Sequence, residues 1–240
     1  MPQDTERSTF YNHFSRDNPT KLGNWLVMGL AKRIFKFAQL KRGHRVLEIG
    51  PGRGVFANIC ISEGVDYWAI EPNEQMAESL KKRGANVISA IVPPLPRTDK
   101  TFDVVVMINV MEHMNNMQDA LQLSREVKGV LKPKGKFVIC SPDYMNWRHH
   151  FFLSDFSHNY ITTWRRIHGL LISAGFENVD GGYQSGPFRG VMCFLLSALT
   201  PWLPFGYLTV ILPKNKLFHK LYKIQLTFLR KIVILGEKPV

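Results

Sequence analysis

Apolar residues recur at helical spacing through KLGNWLVMGLAKRIFKFAQ (21–39), with Lys32, Arg33 and Lys36 between them, which predicts an amphipathic helix. After Gly43 the period changes. RVLEIG is a short apolar strand, 55–63 a helix, VDYWAIE (65–71) a second strand, and EQMAESLKKRG (74–84) a helix closed by Gly84. The strand ANVISAI (85–91) leads into a proline-rich turn, PPLPRTDK. FDVVVMIN (102–109) is apolar almost throughout, as a strand covered on both faces is. Then follow a helix from Asn116 to Leu131 closed by KPKG, the strand GKFVICSP (135–142) and the helix TTWRRIHGLLISAGF (162–176). ENVDGGY (177–183) and KIVILGEKPV (231–240) are two further strands. Strands alternating with helices at this interval predict an α/β fold, a mostly parallel sheet with helices on both faces.

One stretch does not fit that alternation. VMCFLLSALTPWLPFGYLTVIL (191–212) carries no charge over 22 positions, long enough for a membrane span. Pro201, Pro204 and Gly206 break it at the centre, and the strand expected at 231–240 requires the chain to return to the side it left. Two short helices that dip in and come back satisfy both facts. Lys214, Lys216, Lys220, Lys223, Arg230 and Lys231 follow, with Trp202, Tyr207 and Tyr222 nearby, the composition of a segment seated on an anionic membrane surface through 191–231. A lid over a binding pocket or a dimer contact would have the same apolar content. The expected organisation is one domain over 1–240: an N-terminal helical segment (1–40), a core (41–186), the apolar and basic insertion (187–230) and the last strand (231–240).

Composition narrows the classes. Apolar residues make up 45% and charged residues 21% of 240, which suffices for a full core. Cys60, Cys140 and Cys193 have neither paired nor metal spacing, so free, mostly buried thiols and a reducing compartment are expected. MPQDTERSTFYNHFSRDN is polar without an apolar centre, so no secretory signal is expected and the cytoplasm is the expected compartment, on the inner face of the membrane if 191–231 engages it. The net charge of +12 is compatible with nucleic acid, an anionic surface or an acidic substrate. The basic residues of the C-terminal part accompany apolar ones rather than a sheet of exposed aromatics, so a nucleic-acid partner is not expected.

The candidate chemistry starts at HRVLEIGPGRGVF (44–56). Gly50, Gly52 and Gly54 alternate after an apolar strand, where a ligand can lie against bare backbone at a helix N-terminus. This spacing is not the G-x-G-x-x-G of a dinucleotide turn, and no G-K-[ST] follows. Glu48, two residues before the first glycine, would repel a pyrophosphate and suits a cationic ligand. Glu71 ends the next strand 17 residues after Gly54, placed to accept both hydroxyls of a ribose.

VLEIGPGRG, AIEPNEQM, FDVVVMINVMEHM and LKPKGKFVI, in this order, resemble the class I S-adenosylmethionine-dependent methyltransferases, over roughly residues 40–180 and again at 231–240. The resemblance implies a Rossmann-like seven-stranded sheet with an antiparallel last strand and S-adenosyl-L-methionine as cofactor. It implies that Glu48, Gly50, Gly52 and Gly54 line the methionine part, that Glu71 holds the ribose, that Ala90 and Ile91 flank the adenine, and that Asn109 lies by the methionine end. IVPPLP lacks the acidic residue common before this turn, which leaves backbone or apolar contact to the adenine.

Methyl transfer from a sulfonium is an in-line displacement, and a hydroxyl acceptor also needs a base. His113, His149, His150 and His158 are the candidates, with Asp143 and Asp155 as partners. Glu112-His113 resembles the Glu-His pair of ubiquinone-type methyltransferases. Asn109 stands where an acid would complete their metal site, so no metal is expected and His113 reads as structural. SDFSHNYITTWRRIHGLLISAGF (154–176) resembles the Asp-x-[Ser/Thr]-His, helix, Ala-Gly-Phe segment of methyltransferases acting on bacterial envelope glycans. Asp155 and His158 are the expected catalytic pair there, and His149 and His150 in WRHHFF are expected in a mobile lid. The expected reaction is methylation of a hydroxyl on a sugar or lipid-linked glycan at the membrane face. The alternative is a soluble methyltransferase of a small metabolite, of quinone or natural-product type, with 187–230 as its lid.

Overall fold

The computed structural model describes residues 21–240, so the polar N-terminal stretch lies outside the described residues. The chain runs α1 (Lys21–Phe37), β1 (Arg45–Ile49), α2 (Val55–Ser62), β2 (Asp66–Ile70), α3 (Glu74–Lys81), β3 (Asn86–Ile88) and β4 (Phe102–Ile108). It continues through α4 (Met117–Val130), β5 (Leu131–Pro142), α5 (Tyr144–Trp147), α6 (His150–Ser154), α7 (Trp164–Ser173) and β6 (Glu177–Ser185). The last elements are α8 (Gly190–Leu199), α9 (Phe205–Ile211), α10 (Lys216–Phe228) and β7 (Arg230–Glu237).

Alternation along the strands sorts two apolar layers. Val46, Val104, Val106, Val138 and Val233 pack with Ile34 of α1, Phe56 of α2 and Leu80 of α3. Leu47, Ile49, Val105, Met107, Phe137 and Ile139 pack with Leu123 and Val127 of α4 and Ile167 and Leu171 of α7. β1, β2, β4, β5 and β7 each contribute to both layers, so the sheet is covered on both faces. The strand order is β3-β2-β1-β4-β5-β7-β6, with β7 antiparallel to both neighbours and the other pairs parallel. This is the Rossmann-like methyltransferase arrangement that the resemblance implied.

Side-chain caps start the helices where the sequence places them. Asn73 accepts from Met76 N (2.9 Å) before α3, and Asn116 from Asp119 N (2.9 Å) before α4. Thr163 does the same for α7 and Asn215 for α10, each such cap being worth about 1 kcal/mol.

Three expectations are corrected. The strand expected over 85–91 is confined to Asn86–Ile88: it pairs only with β2, which itself ends at Ile70, so residues 89–91 have no partner edge. The stretch expected as a mobile lid forms α5 and α6, with His150 fully buried. Residues 216–228, read only as a basic run, form α10, which buries Tyr222 and Gln225. The apolar insertion is two short helices, α8 and α9, separated by a single 3-10 turn at Thr200–Trp202, as the prolines predicted. Cys60, Cys140 and Cys193 are free and buried.

Candidate active site

At the carboxyl edge of the sheet, β1 hands over to the glycine turn. Gly50, Gly52 and Gly54 all have positive φ (69°, 52° and 72°), a region that costs other residues about 1–2 kcal/mol. Their surroundings differ. A Cβ on Gly50 would lie 2.6 Å from Val110 Cγ2, and one on Gly54 would lie 2.5 Å from Leu80 Cδ2. At Gly52 nothing beyond its own chain neighbours lies within 4 Å of that position among the described residues. The outer glycines are therefore demanded by the protein's own packing. The middle one faces open space.

Glu71, at the end of β2, ties down this turn. Its Oε2 accepts from Gly52 N (3.0 Å) and its Oε1 from Asn73 N (2.9 Å), and it is 3% exposed. Burial raises its pKa, opposed by those two backbone donors. A carboxylate has about four acceptor sites, so capacity remains for a pair of hydroxyls. Glu48 lies on the α1–α3 face, buried, and accepts from the Tyr67 hydroxyl (2.5 Å). Burial pushes its pKa up to about 8, which the charge of Glu71 reinforces. Ala90 and Ile91 are half-buried just past β3. Asn109 ends β4 at φ 54°, exposed, and its Oδ1 accepts from Lys231 Nζ (2.9 Å). A cleft lined by His44, Asp103, Lys132 and Lys134 lies at the opposite edge of the sheet, where Asp103 is paired with Lys132 (2.8 Å).

The expected pair Asp155 and His158 is rearranged. Asp155 Oδ1 accepts from Ser157 N (2.9 Å) and Ser157 Oγ (2.7 Å), and His113 Nδ1 lies 2.8 Å from that hydroxyl. The hydroxyl proton is spent on the carboxylate, so its oxygen accepts from His113 Nδ1–H. Asp155 thus orients His113, through Ser157, because the carboxylate is occupied in closing its own turn. His158 Nδ1 lies 2.6 Å from the Phe151 carbonyl, which can only accept, so Nδ1 carries the proton and Nε2 keeps its lone pair. The two imidazoles are 4.9 Å apart between ring centres. His113, expected to be structural, is part of this group.

Glu112 completes it. Its Oε2 accepts from Ser141 Oγ (2.8 Å), while Oε1 is buried with no hydrogen-bond partner among the described residues. Ligating atoms of Glu112, His113 and His158 lie within 4.8 Å of one another. Burial raises the pKa of Glu112 and lowers those of His113 and His158. The group therefore presents neutral imidazoles with free Nε2 atoms beside an unsatisfied carboxyl oxygen, an acceptor cluster that could take a proton or coordinate a cation. Asp143 and His150 are committed elsewhere. Asp143 is paired with Arg230 (2.6 Å), and His150 Nε2 donates to the Pro201 carbonyl (3.3 Å) while its Nδ1 accepts from Tyr222 (3.3 Å). Glu112, Ser141 and Ser157 were missed as a group, because nothing in the sequence shows the turn after β4 meeting a loop 44 residues on.

The strand order and the glycine turn at the carboxyl edge define a Rossmann-like fold of the methyltransferase type. Residues 26–180 match the family model described as methyltransferase domain, more than half of the chain, and the protein belongs to that family. An uncharacterized protein of Methanocaldococcus jannaschii is 35% identical over 106 residues, 44% of each chain. The ubiquinone biosynthesis O-methyltransferase of Rickettsia felis is 29% identical over 130 residues, 52% of this chain and 50% of that one. The chain thus spans about half or less of the length of these curated relatives. Among solved structures, a SAM dependent methyltransferase from Archaeoglobus fulgidus superposes with a TM-score of 0.61 at 21% identity, over 90% of this chain and 94% of that one.

Proposed function

We propose that this chain transfers the methyl group of S-adenosyl-L-methionine to a hydroxyl group, and that the acceptor is a sugar of a lipid-linked glycan at the cytoplasmic face of a membrane. The observation that carries the first part is the open space at Gly52, on a turn fastened to Glu71. That space takes the methionine end, the free lone pairs of Glu71 take the ribose hydroxyls, and Glu48 answers the ligand's positive charge. The cofactor supplies an electrophilic methyl on a sulfonium. The chain's part is to align the acceptor oxygen and remove its proton at His158 Nε2, whose position the Phe151 carbonyl fixes (2.6 Å). His113, held by Ser157 and Asp155, stands next to it to share that proton. The Asp155-to-Phe176 segment, similar to that of glycan methyltransferases, supports the acceptor class. The relative named for ubiquinone biosynthesis supports a second acceptor, a quinol, which is also a hydroxyl on a greasy chain.

Calorimetric titration of the purified chain with S-adenosylmethionine tests the cofactor, and absence of binding overturns the reading. Transfer of labelled methyl to polyprenyl-linked glycans, but not to short quinols or free sugars, is the expected acceptor pattern. The reverse preference would hand the site to the second reading.

A further inference from the structure

The surface formed by α8 and α9 is built the wrong way round for water. α8 and the turn that ends it hide Cys193, Ser197 and Thr200, at i, i+4 and i+7, and expose Val191 (74%), Phe194 (69%) and Leu199 (71%). A surface helix in water hides its apolar stripe instead. α9 repeats the inversion, burying Gly206 and exposing Tyr207, Val210 and Ile211. The most apolar 18-residue window within Gly190–Ile211 has a mean hydropathy of 1.5, yet only 28% of it is buried. A core segment of that composition would be mostly buried.

The polar groups of this unit are satisfied on its inner side. At the break between α8 and α9, Gln225 of α10 donates to the carbonyls of Thr200 and Leu203 (both 2.9 Å). Asn146 of α5 donates to the Ser197 carbonyl (2.7 Å). The Ser197, Thr200 and Leu203 carbonyls at this break are thus met from within. An apolar face of this kind on a soluble chain marks a contact surface.

Charge chooses the occupant. Between Asp180 and Glu237 the sequence has seven basic residues and no acidic one. Lys214, Lys216 and Lys220, which follow α9 directly, are exposed. A second copy of the chain would set lysines against lysines, whereas a phosphate-rich surface neutralises them. Topology excludes a crossing: Ser185 and Arg230, at the two ends of the insertion, pair with each other in the sheet.

We propose that α8 and α9 lie in the headgroup region of an anionic bilayer, with Phe194, Leu199 and Ile211 entering the acyl boundary and Lys214, Lys216 and Lys220 on the lipid phosphates. The seat deepens the lipid-linked acceptor proposed above, resting on it for its purpose but not for its existence. Its route to the site is short. α6 touches the insertion through His150 and holds the base through the Phe151 carbonyl.

Co-sedimentation of the full chain with vesicles of phosphatidylcholine, with and without phosphatidylglycerol, tests this. Binding is expected to the mixed vesicles and to weaken in salt. Each lysine strengthens binding by about fivefold, so replacing all three by Gln should weaken it by about 100-fold. Phe194→Ser with Leu199→Ser should abolish binding while leaving the melting temperature unchanged, since both side chains are exposed. Wild-type protein that stays in the supernatant, or a serine variant that binds like wild type, overturns the proposal. So does a dimer in light scattering that the serine variant dissociates without any vesicle binding. Cofactor titration is independent: vesicle binding lost with cofactor binding kept defeats the seat alone, and the converse defeats the methyl-transfer reading alone.

Discussion

Glu48→Gln separates what the site needs from what the fold prefers. In the folded chain the Glu48 carboxyl is fully buried against Tyr67 and its pKa stands at about 8 against an ordinary value of 4.5. At neutral pH it is protonated in the fold and ionised in the unfolded chain. Its stability contribution is therefore whole below about pH 4.5, is lost progressively as pH rises to about 8, and is flat above. The loss integrates to about 1 kcal/mol at pH 5 and about 3 kcal/mol at pH 7. Gln resembles the neutral acid and cannot ionise in either state, so the variant escapes this loss. Its melting temperature should exceed that of wild type by a margin that grows by about 4–10 °C between pH 5 and pH 7, for a difference of about 2 kcal/mol in a chain this long. A cationic ligand reverses the preference, because it favours the carboxylate. Wild-type affinity for S-adenosylmethionine should thus rise with pH towards 8, with proton release seen by calorimetry in buffers of different ionisation heat. The variant should bind more weakly and release no proton. Melting curves that run parallel across pH, or equal cofactor affinities, would refute the reasoning, since the other buried acids are common to both proteins.

Gly52→Ala should keep most of the thermal stability and lose cofactor binding, because its Cβ enters open space; Gly50→Ala, which meets Val110 at 2.6 Å, should instead lower the melting temperature. Glu71→Ala should weaken cofactor binding by about 1.5–3 kcal/mol, and by less for an analogue lacking the ribose hydroxyls. His158→Ala should keep cofactor affinity and lose ~10²–10⁴-fold in rate. Burial lowers the pKa of His158, so wild-type activity should persist below the ordinary imidazole range and then fall as the base protonates; the alanine variant should lack that fall. Near-normal turnover by His158→Ala would make the residue structural.

The sheet was legible because each strand carries its own evidence. Val46, Leu47 and Ile49 alternate between the two apolar layers, and the same holds through β4, β5 and β7. β3 was overestimated because an edge strand's length is set by its neighbour, and β2 stops at Ile70. The glycine turn was legible as a ligand contact, but not which glycine faces the ligand: that depends on Val110 and Leu80, distant in sequence. The acceptor side was half legible. Asp155 and His158 stand three apart on one loop, which invited a direct pair, yet a serine between them takes the carboxylate and passes its influence to His113. Such exchanges of partner are set by tertiary contact, and local spacing carries no trace of them.

The same contacts join the two halves of the proposed function. Arg148 connects α5 to α6 at φ 50°, a conformation costing about 1–3 kcal/mol unless its surroundings hold it. Its guanidinium lies 4.5 Å from the ring centre of Trp202, at the break between α8 and α9. Within α6, the ring of Phe151 lies 4.7 Å from that of His158. One short helix therefore touches both the apolar insertion and the imidazole cluster. An acceptor drawn from a bilayer beneath α8 and α9 would reach the base by passing along α6, without a long open channel. A water-soluble acceptor would have no use for that adjacency, nor for a helix that turns Phe194 and Leu199 outward while hiding Ser197 and Thr200.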